Sequence, residues 1–580
     1  MRNVTRLVPA PTPPLSRAAP SPVAKAEGRN AGWLTAVRPF ALLCLLCLLC
    51  LALYAPGLAG IPPLDRDEAR FAQATRQMLE TGDFIRIRFQ DVARNKKPIG
   101  IYWLQAAAVA LFSTPDSSKI WPYRLPSALA AIAVMLLTFA LGARLLSSRL
   151  AGFLSAVLMA SALGLVVEAH LAKTDAALLA TVVAGQGALG LVYVAIRAGR
   201  RVPRALPFVF WLAEAAGILL KGPAGPVLAL LTVVSLSITD RGIRWVGGLR
   251  PLAGILAMTL ITAPWVIAIE VATEGHFIFD SFSHDLLPKL IGAQESHGAP
   301  PGFHLGLAIA CFWPGSLFIV PALLWGWRQR RAAAERFLLA WLVPAWIFFE
   351  LVPTKLPHYV LPLYPALALL AGAALAEGFE QSLNGWARLF DCSVKVLWGA
   401  VTVGLAAALI VLPARLGNEV SPAAIAAAPV LLGLALWLLV GPRRPLRVVV
   451  LIGALAAAFV LPAALEVAPG LDSLWLSRSA AALLARHPPR PGEAVLLVGY
   501  SEPSIVFLLG TATRLVTAAP AAGAFAGAGM ALVSDRYAAE FRESLATHAL
   551  SARAIDRVIG LDYSAGGDKL VLTLYELEPG

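Results

Sequence analysis

The sequence predicts an all-α polytopic membrane protein that ends in a small α/β domain. Of its 580 residues, 58% are hydrophobic and only 14% are charged. Long runs of Leu, Ala and Val recur from Pro39 to about Glu466, which is typical of repeated membrane helices. After Glu466, helical patterns alternate with short β-rich runs, and this change favours a domain outside the membrane. The predicted helices are Leu474–Arg486 and Arg536–Leu550, and the predicted strands are Ala494–Val498, Ala531–Val533 and Lys569–Tyr575.

The predicted protein divides into three regions. Residues 1–37 are rich in Pro, Ala and Arg without hydrophobic periodicity, which predicts a disordered cytoplasmic tail. Residues 38–465 form the predicted transmembrane region, and residues 466–580 form the predicted periplasmic α/β domain. The first apolar segment is longer than a signal-peptide core and no cleavage pattern follows it, so we expect a retained helix.

Composition argues against several other classes. Most of the net charge of +13 lies in short Arg-rich loops between apolar segments, so we predict a membrane protein with no nucleic-acid partner. The five cysteines lie in or beside apolar segments without metal-ligand spacing, and disulfides are not expected. No nucleotide-binding motif supports ATP-driven transport.

The apolar segment Ile99–Phe112 determines the predicted topology. It holds about 14 residues, whereas a spanning helix needs roughly 20. If it lies along the membrane interface, all five Arg-rich loops fall on the cytoplasmic side, as the positive-inside rule requires. We therefore predict about thirteen spans, with the N-terminus and the C-terminal domain on opposite sides. The predicted spans are residues 38–57, 124–143, 150–167, 175–196, 205–220, 223–239, 251–271, 303–326, 336–352, 359–377, 394–413, 422–440 and 446–465.

The stretch Asp65–Arg70 holds three carboxylates and two arginines directly after the first apolar segment. Charge beside a membrane usually indicates a site or a partner, although a solvated loop has the same composition. Asp67 and Arg70 share a helix face at i,i+3 spacing. Asp67, with its neighbour Glu68, is therefore a candidate to accept a proton from a sugar hydroxyl, orient an acceptor or stabilise positive charge on a sugar ring.

Further charges fall on the same outer face. Lys96 and Lys97 precede the interfacial segment, where paired lysines suit a phosphate and attraction to anionic lipid is the alternative. Lys221 interrupts two apolar segments at a tight turn that could also be structural. Asp175 follows Lys173 at the start of a span, where a carboxylate is also an ordinary helix start.

Two outer segments add further candidates. Lys355, His358 and Tyr359 lie within five residues and could clamp a phosphate, or could serve only as interfacial anchors. The loop from Glu270 to His304 holds four histidines whose spacing matches no common metal signature. We therefore assign no metal ligands, and a divalent metal remains open. The loop could instead cover a cavity as a lid. The candidate substrate-contacting residues near this cavity are His284, His297 and Lys221.

Several motifs resemble the bacterial lipid A aminoarabinose transferases of the protein mannosyltransferase-like group (glycosyltransferase family 39/83 type). The resemblance covers roughly residues 60–380. It rests on Asp67-Glu68-Ala69-Arg70-Phe71-Ala72, Gly82-Asp83, Lys97-Pro98 with Ile101-Tyr102-Trp103-Leu104, the loop with Gly275, Phe277, His284, His297 and Pro300, and the run Thr354–Leu370.

The resemblance implies a GT-C-type fold of thirteen helices with interfacial helices in the first outer loop. It also implies a polyprenyl-phosphate-linked sugar donor and an inverting transfer at the periplasmic face. Carried over by position, Asp67 and Asp175 are the two acidic residues. Lys97, Lys355 and Tyr359 would hold the donor phosphate, joined by Arg70 and His358. An acidic residue commonly precedes the Lys-Pro pair in these enzymes, whereas Lys96 stands here, which leaves the donor sugar open and would suit an acidic sugar.

We therefore predict a glycosyltransferase that modifies an envelope acceptor, most naturally lipid A or lipopolysaccharide core, in the bacterial inner membrane. A phosphate acceptor is already ionised and needs no strong base, whereas a hydroxyl acceptor would make Asp67 the candidate general base. The alternatives are a lipid or solute transporter or flippase, a protein O-glycosyltransferase of the same fold, and a non-catalytic scaffold. Charges that cluster at one face rather than at the midplane argue against a transporter.

Overall fold

The computed structural model describes residues 39–292, 298–442, 444–490, 492–516, 520, 522–525 and 527–579. The predicted tail at residues 1–37 and His297 lie outside these described residues. Within them, apolar helices dominate the chain up to Gly470, and a five-stranded sheet with short helices follows. The mostly helical, multi-pass character predicted from the sequence is confirmed.

In the described part of the chain, seven helices are long and apolar enough to cross a membrane, or up to nine if each of two bent pairs is one span. The seven are Trp121–Leu145, Asp175–Arg197, Pro251–Ala272, Pro357–Glu377, Gly385–Arg415, Pro422–Val440 and Pro445–Gly470. The bent pairs are Arg149–Ser161 with Leu163–Ala169 and Phe303–Cys311 with Gly315–Arg328. Further apolar helices are Pro39–Tyr54, Ala205–Lys221, Ala224–Thr239 and Ala333–Leu351.

Residues 150–167 and 303–326 are each predicted as one helix, but both are broken. The two halves meet at 60° in the first and at 118° in the second. The breaks face each other, because the Leu163 N–H donates to the Trp313 carbonyl oxygen at 2.9 Å. Pro314 has no N–H to continue a helix. Backbone groups freed at membrane depth must find partners inside the protein, and pairing the two breaks supplies one.

Small residues let the central helices approach closely. A Cβ added to Gly142 would lie 2.6 Å from the Cα of Gly152. The helices Trp121–Leu145 and Arg149–Ser161 therefore pack backbone against backbone at this point. Such contacts are a main source of helix association in lipid, where the hydrophobic effect between helices is absent.

The first outer loop contains the helix Asp67–Thr81, the short strands β1 (Arg88–Phe89) and β2 (Val92–Ala93), and the helix Gly100–Phe112. The last of these has 13 residues. At 1.5 Å per residue it is about 20 Å long, less than the roughly 30 Å of a hydrocarbon core. Its length therefore agrees with the interfacial position predicted for it.

The five strands after residue 490 pair in the order β4-β3-β5-β7-β6. They are β3 (Ala494–Val498), β4 (Arg514–Val516), β5 (Ala528–Ser534), β6 (Leu550–Asp562) and β7 (Asp568–Pro579). β3 is parallel to β4 and β5, and β7 is antiparallel to β5 and β6. The accompanying helices include Leu476–Arg486, Pro503–Leu509 and Ala538–Thr547.

Strand β6 is absent from the sequence-based expectation. The predicted helix Arg536–Leu550 ends at Thr547, and β6 begins at Leu550. β6 lies at the edge of the sheet and many of its side chains are exposed, so it lacks the apolar alternation that identifies a half-buried strand.

The sheet region packs against the first outer loop. Arg76 Nη1 donates to the Phe507 carbonyl oxygen at 2.9 Å, and Gln73 Nε2 donates to Thr511 Oγ1 at 2.7 Å. The rings of Tyr123 and Phe507 meet edge to face, with centroids 5.3 Å apart. The sheet region therefore contacts both the helix Asp67–Thr81 and the start of the helix Trp121–Leu145.

Candidate active site

A cavity of about 500 Å³ is lined by residues at the ends of several apolar helices and by the segments that connect them. Four lysines, Lys96, Lys97, Lys221 and Lys289, line it, and we call it the lysine-lined cavity. Its other polar lining residues include Asp175, Asp285, Ser281, His358 and Tyr359. The remaining lining residues are largely apolar, including Ile218, Trp265 and Phe349. Cations at one end of an apolar chamber suit an amphiphile with an anionic head group.

Asp285 joins two of these lysines. Lys97 Nζ donates to Asp285 Oδ2 at 2.7 Å, and Lys289 Nζ donates to Asp285 Oδ1 at 2.5 Å. Burial lowers the pKa of Lys97, and the attraction of Asp285 only partly opposes this effect. Burial would raise the pKa of Asp285, but the two lysines outweigh it and hold that pKa below its usual value. The Asp285 carboxylate thus lies between the amino groups of two lysines.

Asp285 belongs to segment 276–291, which consists of His276–Asp280, a π-helical turn Ser281–Leu286, and Leu287–Ile291. Asn95 fastens this segment to the turn before Lys97. Its Nδ2 donates to Asp280 Oδ2 at 3.0 Å, and its carbonyl oxygen accepts from Ser281 Oγ at 2.7 Å. The predicted lid is thus in contact with the cavity, through residues that the sequence pattern did not single out.

A second group of charges, the buried charge cluster, consists of Glu168, Lys173, Asp175, Lys221 and His358. Lys221 Nζ donates to Asp175 Oδ1. Lys173 Nζ lies 3.6 Å from Asp175 Oδ2 and donates to Glu168 Oε1 at 3.1 Å. The His358 ring lies between the two carboxylates, 3.7 Å from Asp175 and 3.8 Å from Glu168. Three stretches of the chain, at residues 168–175, 221 and 358, therefore converge on one group of charges.

The ligand atoms of Glu168, Asp175 and His358 all lie within 4.8 Å of one another, close enough to hold a metal ion. Both carboxylates, however, already contact ammonium groups of Lys173 or Lys221. A divalent cation would have to displace these lysines. The donor set therefore fits a cation poorly, and we derive no step through a metal.

The structure places Asp67 and Arg70 outside the residues that line the lysine-lined cavity. The Asp67 side chain is 64% exposed, and its Oδ1 lies 3.6 Å from Arg94 Nη2. The Arg94 guanidinium in turn covers the ring of Phe71 at 5.1 Å. Asp67 therefore lies at the outer edge of the site, with one cation beside it.

Glu68 has surroundings that argue against the predicted catalytic role. Its carboxylate forms a bidentate pair with the buried Arg124, with both N–O distances 2.8 Å. The same oxygens also accept from the backbone N–H groups of Leu64 and Ala172, each at 2.8 Å. Both oxygens are occupied, so we remove Glu68 from the catalytic candidates and regard it as an anchor of the first outer loop.

Lys355 also lies away from the predicted phosphate clamp. It is buried, and its Nζ donates to the Val352 carbonyl oxygen at 2.6 Å. The 3₁₀ helix Pro357–Leu363 presents His358 and Tyr359 to the lysine-lined cavity, whereas Lys355 precedes it and folds back on its own segment. Sequence proximity alone could not distinguish these directions.

Some of the remaining predicted residues line the cavity and others do not. Lys221 lines the cavity, with its Nζ 5.9 Å from the centre of the Tyr359 ring. The side chain of His284 is 69% exposed and lies 3.4 Å from Asp280. Glu168, Asp285 and Lys289 were not among the predicted site residues. All three lie in outer segments, which is the one signal that could have suggested them.

A protein-family model and a solved structure both match this chain. Residues 40–278 match the family model described as dolichyl-phosphate-mannose-protein mannosyltransferase. The chain superimposes on the crystal structure of ArnT from Cupriavidus metallidurans bound to undecaprenyl phosphate with a TM-score of 0.69, at 20% identity, covering 92% of this chain and 98% of that one. The chain thus shares the fold of this ArnT crystal structure.

The particular relatives are aminoarabinose transferases. The undecaprenyl phosphate-alpha-4-amino-4-deoxy-L-arabinose arabinosyl transferase of Pseudomonas aeruginosa (strain UCBPP-PA14) is 31% identical over 333 residues, covering 56% of this chain and 59% of the relative. The enzyme of the same description from Aeromonas hydrophila is 28% identical over 337 residues, covering 56% and 60%. The matched part of the chain thus spans less than two thirds of these relatives. The resemblance predicted from the motifs is confirmed.

Proposed function

We propose that this protein is a glycosyltransferase of the inner membrane that moves a sugar from a polyprenyl-phosphate donor to an envelope glycolipid, lipid A or lipopolysaccharide core. The lysine-lined cavity carries the proposal, because it joins four cations to an apolar chamber. A polyprenyl-phosphate sugar needs this combination, since its chain stays in the bilayer while its phosphate lies at head-group depth. The undecaprenyl phosphate in the related ArnT crystal structure supports a donor of this class.

The donor phosphate would bind where Asp285 now joins Lys97 and Lys289. A phosphate oxygen that replaces the Asp285 carboxylate gains charge-assisted hydrogen bonds from both lysines. Lys221 supplies a third cation in the same cavity, beside Tyr359. The apolar residues of the cavity would hold the first isoprene units.

Asp175 lines the same cavity as this phosphate position. As the bond between the sugar and the phosphate breaks, positive charge develops on the sugar ring, and a fixed carboxylate stabilises it. Lys221 and Lys173 hold Asp175 in place. Asp67 would orient the acceptor from the outer edge. His284, an exposed residue of segment 276–291, remains a candidate substrate contact.

We also propose the complete topology, with thirteen spans, a cytoplasmic N-terminus and a periplasmic α/β domain at 466–580. Each predicted span coincides with a helix or a bent helix pair in the described part of the chain, which supports the higher count. The helix Gly100–Phe112 would lie along the interface. This arrangement keeps the Arg-rich loops on the cytoplasmic side.

Mass spectrometry of lipid A and core from cells with and without the gene tests the function. We expect a sugar-sized mass increment that depends on the gene and returns with the wild-type gene on a plasmid. The matched control is an Asp175→Asn gene expressed at the same level, which should leave the increment missing. Identical glycolipids with and without the gene would contradict the proposal.

A further inference from the structure

A second cavity of about 170 Å³ lies beside the lysine-lined cavity. Glu168, Val167, Ala310 and Tyr364 line it, and we call it the Glu168 cavity. The residues His358 and Leu361 line both cavities, so they form the wall between them. The site thus has two adjoining chambers that meet at the buried charge cluster.

The two chambers differ in charge. No lysine or arginine lines the Glu168 cavity among the described residues, whereas four lysines line its neighbour. The nearest cation, Lys173, donates to Oε1 of Glu168. A phosphate in the Glu168 cavity would therefore face a carboxylate without a cation of its own, which is unfavourable in a poorly solvated chamber. This chamber, whose lining apart from Glu168, His358 and Tyr364 is apolar, therefore disfavours a phosphate.

Glu168 carries an unsatisfied acceptor. Its side chain is 6% exposed, and its Oε2 has no hydrogen-bond partner within the described structure. A buried carboxylate oxygen without a donor is costly, since it has lost water and gained nothing in return. A ligand with an O–H group would supply the missing donor.

Glu168 is also close to the position of the reaction. Its carboxylate lies within 4.8 Å of the ligand atoms of Asp175 and His358, both of which line the lysine-lined cavity. A hydroxyl hydrogen-bonded to Oε2 would therefore lie next to the donor chamber. A general base must lie within hydrogen-bonding distance of the hydroxyl group whose proton it removes.

From these observations, and resting on the function proposed above, we infer that the acceptor is a sugar hydroxyl of a glycolipid, bound in the Glu168 cavity, and that Glu168 is its general base. The hydroxyl oxygen attacks the anomeric carbon of the donor sugar, and a new carbon–oxygen bond forms. The bond between that carbon and the phosphate oxygen breaks, and its electron pair stays on the phosphate. The hydroxyl proton moves to the Glu168 carboxylate. The polyprenyl phosphate gains one negative charge as Glu168 loses one.

The linkage in the product tests the acceptor class. A sugar on a hydroxyl is a glycoside that withstands mild acid, whereas a sugar on a phosphate is an acid-labile phosphodiester that shifts the phosphorus resonance. We expect gene-dependent sugar that survives mild acid hydrolysis and unchanged ³¹P NMR of the glycolipid phosphates. Sugar found on a phosphate would overturn the inference while leaving the glycosyltransferase proposal intact. Absence of any gene-dependent sugar would contradict the glycosyltransferase proposal instead.

Two variants of the purified full-length protein test the residues. Glu168→Gln keeps the size of the side chain, and we expect transfer to fall about a hundredfold to ten-thousandfold. Binding of undecaprenyl phosphate should stay within about twofold of wild type, because the lysines hold the phosphate. Wild-type transfer by Glu168→Gln, or a parallel loss of undecaprenyl phosphate binding, would overturn the role of Glu168 as a base.

A filling variant checks the cavity independently of charge. Ala310→Leu places three extra carbons in the Glu168 cavity, and we expect it to raise the KM for the glycolipid acceptor at least about tenfold while the KM for the donor is unchanged. Leu305→Phe is the matched control, because Leu305 lies on the same helix, is exposed and does not line the cavity. An unchanged acceptor KM in Ala310→Leu would overturn the assignment of the cavity.

Discussion

Two carboxylates that contact cations at the outer face, Glu68 and Asp285, have opposite surroundings. Glu68 is buried with Arg124, and both its oxygens also accept backbone N–H groups. Asp285 contacts Lys97 and Lys289 on the wall of the lysine-lined cavity. Protein groups satisfy both oxygens of Glu68, whereas Lys97 and Lys289 can exchange the Asp285 carboxylate for an anionic ligand. Charge density alone therefore does not identify a site; what matters is whether a ligand can replace one partner.

The largest effect on activity should follow from Asp175→Asn. Losing a carboxylate that stabilises developing charge typically costs a hundredfold to ten-thousandfold, and we expect transfer to fall within about that range. The variant should still bind undecaprenyl phosphate, which can be measured with labelled lipid and purified protein. Transfer within about threefold of wild type would leave Asp67 as the principal carboxylate of the donor site.

Glu68→Gln should have its main effect on stability. Removing one partner of a buried ion pair typically costs about 3–5 kcal/mol, and here it leaves the Arg124 guanidinium without its counterion. We expect lower yield and a lower melting temperature in detergent, with normal activity per folded molecule. A stable protein that has lost transfer would return Glu68 to the catalytic candidates.

Asp285→Asn should strengthen the binding of the donor lipid. Because the carboxylate competes with phosphate for Lys97 and Lys289, we expect undecaprenyl phosphate to bind about three- to tenfold more tightly, or about 0.7–1.4 kcal/mol. Asp280→Asn is the matched control, because Asp280 lies in the same segment but contacts Asn95 rather than a cavity lysine. Weaker binding in Asp285→Asn would show that Asp285 positions the lysines.

The smallest expected effect concerns pH. Burial lowers the pKa of Lys97 below its ordinary value of 10.5, so its contribution to phosphate binding is present below the lowered pKa and is lost as pH rises through it. Lys97→Arg keeps its charge to higher pH. We therefore expect the alkaline loss of undecaprenyl phosphate affinity to move to higher pH in this variant. An unchanged profile would mean that Lys97 does not control it.

Much of this site could be predicted because membrane topology places distant residues on one side. Lys97, Asp175, Lys221 and Tyr359 are far apart in sequence, yet a single count of spans put them all on the outer face, and the structure brings them to one cavity. Long apolar runs predicted the helices, because a membrane-spanning helix needs about 20 mostly apolar residues.

The direction of a side chain and its partners in the folded protein could not be predicted from the sequence. Lys355 is only three residues from His358, but its ammonium turns to Val352. Nothing in its spacing indicated that Asp285 would meet Lys97, since the two are 188 positions apart. Strand β6 was missed because an exposed edge strand carries little apolar pattern.

The affinity of purified Lys97→Ala for undecaprenyl phosphate tests the central claim most directly. Losing a charge-assisted phosphate contact is worth about 1.5–3 kcal/mol, so we expect binding to weaken roughly ten- to a hundredfold. The exposed outer-loop variant Lys119→Ala and the buried variant Lys355→Ala should bind nearly as wild type does, provided that each is folded. Wild-type affinity in Lys97→Ala would contradict the assignment of the lysine-lined cavity to the donor phosphate.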